Sequence, residues 1–415
     1  MNKEYKIAII GLGYVGLPLA LAFSECYQVL GYDINKKRVA ELNKGMDSNL
    51  DVEVKDNPNL LFSSDESDLK ESAIYILTVP TPVDKENVPD LSFLKSASEL
   101  VAKYLKKEDI VIYESTVYPG VTEDFCVPIL AENSELVYNS EFYCGYSPER
   151  ISPGAEKYSL QNVVKVTSGS TDNIAEIVDD LYNKIIKAGT YKAPSIKVAE
   201  AAKVIENTQR DVNIALMNEL AMMFDKMDID TSEVLSAAKS KWNFLDFKPG
   251  LVGGHCIGVD PYYLLHKSEE MGYNPTLLHS SRAINNSVAS FVVDKAIKLM
   301  IAADKVIKGA SVLVLGYTFK ENCADTRNTK VRDIVHGLEG FSCQVSIFDP
   351  YLSVDYNSNF ISNPFDSGNK YDAIIVAVSH DEFIKYTDAN FNQISQGKLV
   401  LLYLKVVCSK STWKF

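Results

Sequence analysis

A chain of 415 residues has room for roughly two to three domains, and its 46% hydrophobic and 23% charged residues make an ordinary globular composition with ample core. A net charge of −13 argues against a nucleic-acid partner or an anionic membrane surface. Seven cysteines, Cys26, Cys126, Cys144, Cys256, Cys323, Cys343 and Cys408, are odd in number and form no CxxC pair. No disulfide framework and no metal site are therefore expected, and a reducing cytoplasm is. No signal-peptide pattern opens the chain, and no apolar run approaches the ~18 residues that span a bilayer.

Lys6-Ile7-Ala8-Ile9-Ile10 is a nearly continuous apolar run, as in a strand buried on both faces. It leads into Gly11-Leu12-Gly13-Tyr14-Val15-Gly16, then a helical stretch from Leu17 to about Glu25, and a second strand at Val29–Asp33. Asp33 stands 22 residues after Gly11. Glycines at Gly11, Gly13 and Gly16 suit a tight turn, close approach of backbone to a pyrophosphate, and helix-to-strand packing. Tyr14 and Val15 lie in the same turn, and Asp33 is placed to accept from a ribose hydroxyl. A carboxylate would repel a 2′-phosphate, so NAD is expected over NADP. A lone GxGxxG is weak evidence; a strand before it, a helix after it and an acid at this distance make it strong.

Further strands are predicted at Ala73–Leu77 and Ile110–Tyr113, running into Thr78-Val79-Pro80-Thr81-Pro82 and Glu114-Ser115-Thr116-Val117-Tyr118-Pro119-Gly120. Ligands of open α/β sheets bind outside the carboxyl ends of the strands. Thr81 and Thr116 are thus candidates for the nicotinamide half of the cofactor, with helix capping as the alternative for Thr81. Tyr146–Gly154 is a polar, proline-bounded loop that could close over a site or lie on the surface.

From Ser195 apolar residues recur at helical spacing for about thirty residues without proline or glycine. A long helix linking two α/β halves is predicted, with a spare apolar face for a dimer contact. Lys203 and Asn207 share one face of it; spacing alone reads them as a solvated lysine and a cap-like asparagine. A second helix is predicted over about 277–302. Between the two lies Gly253-Gly254-His255-Cys256-Ile257-Gly258-Val259-Asp260-Pro261-Tyr262-Tyr263. A thiol on a glycine loop near a carboxylate suits a nucleophile with a proton acceptor, and the glycines would let a substrate approach closely. Asp260-Pro261 predicts an extended or turn conformation at the aspartate. A buried turn cysteine is the plain alternative.

Ser311–Gly316, Val345–Asp349 and Ala373–Val378 repeat the strand pattern of the first third without its full glycine fingerprint. Lys320, Arg327, Lys330 and Arg332 make a basic cluster there, either a nucleotide contact or a solvated face. The fold class is therefore α/β: two Rossmann-like doubly wound domains joined by a long central helix and a helical dimerisation domain.

Taken together, these motifs resemble the UDP-glucose/GDP-mannose dehydrogenase family over about residues 5–400. Ser147-Pro148-Glu149-Arg150 and the cysteine loop are similar to the branch that oxidises UDP-N-acetylhexosamines at C6 for surface polysaccharides. The resemblance implies an NAD domain (1–194), a central helical dimerisation domain carrying the cysteine loop (195–303) and a UDP-binding domain (304–415). It implies Cys256 as nucleophile and Asp260 as its companion carboxylate. Lys203 and Asn207 would steady an oxyanion and a water, Glu149 would handle protons, and Thr116 would hold the reactive water. The substrate contacts implied are Glu149, Arg150, Lys203, Gly253, Lys320 and Arg327. UDP-glucose members carry a second glutamate where Pro153 stands here, which favours the N-acetylhexosamine branch. The ending departs from the family pattern, with Leu404 where an aspartate is usual. UDP-glucose or UDP-N-acetylmannosamine as substrate, a two-electron dehydrogenase with a structural Cys256, and a non-catalytic sugar-nucleotide binding protein are the competing readings.

Overall fold

The computed structural model describes residues 5–47, 52–150, 159–366, 368–405 and 412–415. The chain divides into two compact units, Met1–Glu206 with Tyr262–Gly272, and Asn207–Pro261 with Tyr273–Phe415.

The first unit is built on a parallel sheet of β1 (Lys6–Ile10), β2 (Gln28–Tyr32), β3 (Leu60–Ser63), β4 (Ile74–Leu77), β5 (Asp109–Tyr113) and β6 (Phe142–Tyr146), in the order β3-β2-β1-β4-β5-β6. Side chains alternate across a strand, so each apolar run feeds two cores. Ala8, Tyr75, Val111 and Tyr113 enter one, while Ile7, Ile9, Ile76 and Ile112 enter the other. This is why these strands read as continuous hydrophobic runs. The strand order reverses between β1 and β4, the place where such sheets bind dinucleotides. Helix α1, Gly16–Ser24, follows β1 directly.

The second unit holds β7 (Ser311–Leu315), β8 (Gln344–Phe348), β9 (Ala373–Val376), β10 (Leu401–Tyr403) and β11 (Trp413–Lys414), all parallel, in the order β8-β7-β9-β10-β11. This is the other common doubly wound order, with its reversal between β7 and β9. The helix Thr276–Ala302 buries Val288, Val292, Ala296 and Met300 in one cluster with Val312, Val314 and Ile375. The departure at the chain's end is accommodated. Leu404 is 1% exposed in that same core, and Trp413 pairs beside Leu402 on the last strand. Pro153 and Cys408 lie outside the described residues.

The long helix is one element, Ile196–Lys226, 31 residues. Two sequence expectations are corrected here. Lys203 and Asn207 are each only 8% exposed and lie inside the helix, so Lys203 is not the solvated group and Asn207 not the cap that spacing suggested; spacing names a helix face but not what covers it. Asp260 is not extended: it opens the helix Asp260–Glu270 with Pro261 in its first turn. Proline is tolerated there because the N–H it lacks would have no intrahelical partner.

Candidate active site

In the first unit the glycine turn is shaped by contacts that no side chain could share. Gly11 has φ +95, and a Cβ on Gly16 would fall 1.8 Å from the Gly11 carbonyl oxygen. Thr78 Oγ1 donates to that same oxygen at 2.7 Å, tying the end of β4 to the turn after β1. A Cβ on Gly13 would meet nothing within 4 Å, so the backbone there borders open space. No side chain caps the N-terminus of α1 and no acidic residue stands in its first turn, an arrangement that suits a bound anion. Tyr14, beside it, is exposed, and Val15 occupies the cap position. Asp33 Oδ2 accepts from Leu12 N–H at 2.8 Å, and Oδ1 from Asn35 N–H at 2.8 Å. The carboxylate is half-buried and keeps further lone pairs for a ribose hydroxyl. The residues present fit a dinucleotide.

At the ends of β4 and β5, Thr81 Oγ1 donates to the Thr116 carbonyl at 2.7 Å, and Tyr263 O–H donates to the Thr81 carbonyl. Thr81 therefore bridges two loops and caps no helix with its hydroxyl. The loop beyond Thr116 is held by Glu200, whose carboxylate accepts from Gly120 N–H at 2.6 Å and Thr122 N–H at 2.9 Å. Burial pushes the Glu200 carboxyl up to about 7, against those hydrogen bonds.

Glu149 follows β6. Its Oε1 accepts from Arg150 N–H at 2.5 Å, and its Oε2 lies 3.5 Å from Lys165 Nζ. Lys165 also meets Glu114 Oε2 at 2.5 Å and the Pro148 carbonyl at 3.0 Å, and Tyr182 O–H donates to Glu114. Burial pushes the Glu114 carboxyl up to about 7, with Lys165 opposing. Sequence reading missed Glu114, Lys165 and Tyr182, whose only signal is Glu114 standing two residues before Thr116. Arg150 pairs with Glu206 at 2.7 Å.

In the second unit the cysteine loop is packed on the turn after β7. A Cβ on Gly254, at φ +81, would meet the Phe319 ring at 2.7 Å, and one on Gly253 the Asn328 carbonyl oxygen at 2.7 Å. The glycines thus admit the protein's own chain, where the sequence suggested an approaching substrate. Asn328 Nδ2 donates to the Gly254 carbonyl, and His255 Nε2 stands 3.7 Å from Asp325. Cys256 is exposed, and its carbonyl accepts from Asp260 N–H at 2.8 Å, closing the turn into the helix that follows. Asp260 is 3% exposed and accepts from Asn207 Nδ2 at 2.7 Å. Asn218 grips both backbone groups of Gly250, donating to its carbonyl and accepting from its N–H, and also donates to Asn285. Arg282 and Asn285 in turn bind Asp211 at 2.5 and 2.7 Å. This buried polar network anchors the start of the cysteine loop, and sequence reading did not find it.

The basic cluster divides. Lys320 and Lys330 line a pocket with Gly253, Thr318, Val378 and Lys405, at the strand-order reversal of the second sheet. Arg327 is exposed and pairs with Asp325 at 2.6 Å, and Arg332 is exposed. Asp349, which follows β8 as Asp33 follows β2, is committed elsewhere. Its Oδ2 accepts from Tyr317 N–H at 2.6 Å and Thr318 N–H at 3.2 Å and lies 3.0 Å from His380 Nε2. Among the described residues no group of three or more His, Cys, Asp or Glu side chains is arranged to hold a metal ion, and no helix is long and apolar enough to cross a membrane.

Two doubly wound sheets, one with a dinucleotide turn and one with a lysine-lined pocket at its switch point, define a nucleotide-dependent enzyme with an exposed thiol. The chain belongs to the UDP-glucose/GDP-mannose dehydrogenase family. The family's NAD-binding domain matches residues 5–186, its central domain 197–287 and its UDP-binding domain 313–406. The chain is 53% identical to a UDP-N-acetyl-D-glucosamine 6-dehydrogenase of Salmonella typhi, covering 97% of this chain and 96% of that one. It is 52% identical to the enzyme of the same name from Pseudomonas aeruginosa, covering 97% of each. A solved UDP-D-ManNAc dehydrogenase from Pyrococcus horikoshii superposes with a TM-score of 0.88 at 28% identity, covering 99% of this chain and 98% of that one. NAD is the cofactor.

Proposed function

We propose that this chain oxidises the C6 hydroxyl of UDP-N-acetyl-D-glucosamine to the uronic acid, a four-electron reaction that serves surface-polysaccharide synthesis. What carries the reading is an exposed Cys256 on a glycine loop packed against Phe319 and Asn328, whose next turn holds the buried Asn207–Asp260 pair, in a chain matched over 97% of its length by two enzymes of that name. Gly11, Gly13, Gly16 and Asp33 would hold NAD, which when bound would supply the hydride acceptor, two NAD per sugar. The first oxidation leaves an aldehyde. The Cys256 thiolate forms a C–S bond to its carbonyl carbon, giving a thiohemiacetal that can lose a second hydride. The resulting thioester is cleaved by water, which restores the thiol and releases the acid. Lys203 and Asn207 offset charge on the tetrahedral oxygen. Asp260 and Glu149 move protons, and Thr116 holds the water. Lys320 and Arg327 contact the UDP moiety, while Gly253 and Arg150 border the sugar.

Residues 1–194 serve NAD, 195–303 carry the cysteine loop, and 304–415 serve UDP. The test is NADH released from UDP-N-acetylglucosamine, UDP-N-acetylgalactosamine, UDP-glucose and UDP-N-acetylmannosamine. Two NADH per UDP-N-acetylglucosamine is expected. One NADH per sugar would mean a two-electron enzyme, and turnover of UDP-glucose alone would overturn the substrate.

A homodimer through the long helix is also proposed. Val198, Ile205, Leu216 and Met223 recur along it, each about half exposed, an apolar stripe of the kind that marks an association face. Leu216→Glu should shift the sedimentation of the protein toward monomer; an unchanged species would remove this helix from the contact. Seven scattered cysteines with no CxxC pair suit the cytoplasm.

A further inference from the structure

The buried cluster behind Glu149 has no part in the chemistry above, yet its burial is costly. Lys165 is 2% exposed and Glu114 2%, and Tyr182 is fully buried. Burying charges this completely is expensive unless each is paired and hydrogen-bonded. A hydrophobic trio of the same volume would often be as stable, so stability alone does not account for the charges. The ammonium at the centre of the cluster reaches the segment that carries Glu149. Lys165 Nζ touches the carbonyl of Pro148, the residue just before it, and lies 3.5 Å from the Glu149 carboxylate. Glu114, at the end of β5, grips the other side of the ammonium at 2.5 Å. Tyr182 closes the arrangement, donating to Glu114 while its ring faces the ammonium at 5.3 Å.

We infer that Lys165 is a positioning residue for Glu149, fixing the place of its carboxylate, and that Glu114 and Tyr182 are present to hold Lys165 in place. This rests on the proton-handling role proposed for Glu149. The charged and titratable groups facing one another are Glu114, Glu149, Lys165 and Tyr182, from the ends of β5 and β6, the strand Lys165–Thr167 and the helix Asp172–Asn183.

The test uses the full chain with NAD and UDP-N-acetylglucosamine. Lys165→Met should lower kcat about a hundredfold, the range of one general base, with the sugar-nucleotide KM within about threefold. Because Lys165→Met strands Glu114, the double variant Lys165→Met/Glu114→Gln removes both charges and should restore thermal stability while kcat stays low. Glu149→Gln supplies a mutant cycle. In its background Lys165→Met should cost little more, because the lysine acts through that carboxylate. Equal losses in both backgrounds would make Lys165 a structural residue and overturn the inference alone. Full activity in Glu149→Gln would instead remove the role of Glu149 and the inference with it.

Discussion

Asp33 and Asp349 end equivalent strands in the two sheets, and the sequence offers no means of telling them apart. Asp33 accepts one hydrogen bond from the turn after β1 and stays half-buried, with capacity left for a ligand. Asp349 is 2% exposed and saturated by Tyr317, Thr318, Tyr351 and His380. Burial works against its charge, but the His380 hydrogen bond and the backbone N–H groups hold its carboxyl below the ordinary range. It therefore shapes the turn that carries Lys320 and takes no ribose. Cys256, the proposed nucleophile, was legible because a cysteine between glycines, four positions before an aspartate, is a local pattern. The Glu114–Lys165 pair was not, because its members are 51 residues apart. At this scale the sharpest expectation concerns Cys256. Cys256→Ala should leave NAD and UDP-sugar affinities within a few-fold, since the thiol adds little recognition, while uronic acid production falls by several orders of magnitude. Two NADH per sugar from that variant would refute the covalent route.

Among the elements, strands and long helices matched their sequence periods closely, because a two-faced core demands continuous apolar runs. The departures lie where tertiary contacts set the backbone. Pro261 opens a helix because the Cys256 carbonyl receives the Asp260 N–H and the preceding turn is already closed. The loop Tyr118–Cys126 has a similar external support. Gly120 is at φ +102, and the π-helix Val121–Cys126 begins on N–H groups received by Glu200, from the long helix. The Glu200 carboxyl rises from 4.5 to about 7 on burial. A carboxyl raised in the folded state binds protons better there than in the unfolded chain. Its contribution to stability is therefore complete below pH 4.5 and is lost as pH rises to about 7. Glu200→Gln cannot titrate. Its deficit against wild type, measured by denaturant unfolding, should shrink over that window, by at most about 3 kcal/mol. A constant deficit would mean that Glu200 is already ionised at the acid end.

At the scale of the whole molecule, the two sheets differ in a way that composition could not reveal. The first follows the order 3-2-1-4-5-6 and the second 2-1-3-4-5, counting strands within each sheet. Each therefore has its own reversal point and its own ligand crevice. The first crevice offers a glycine turn and a half-buried carboxylate; the second offers Lys320, Lys330 and Lys405, with its acid Glu321 paired to Lys405. A carboxylate reads a ribose diol, whereas ammonium groups read phosphates without distinguishing the base, so recognition of the two nucleotides should be separable. Asp33→Ala should weaken NAD binding by about 1.5–3 kcal/mol, the loss of a charge-assisted hydrogen bond, and leave UDP binding nearly unchanged. Lys320→Ala should raise the sugar-nucleotide KM more than it lowers kcat, because the UDP handle is bound alike in ground and transition states. Calorimetry with NAD and UDP separately, on both variants and their combination, checks this directly. The two losses should add in the double variant, as they do for independent sites. A loss of both affinities on either single change would show one coupled nucleotide site in place of two, and a collapse of kcat at constant KM would move Lys320 into the chemistry.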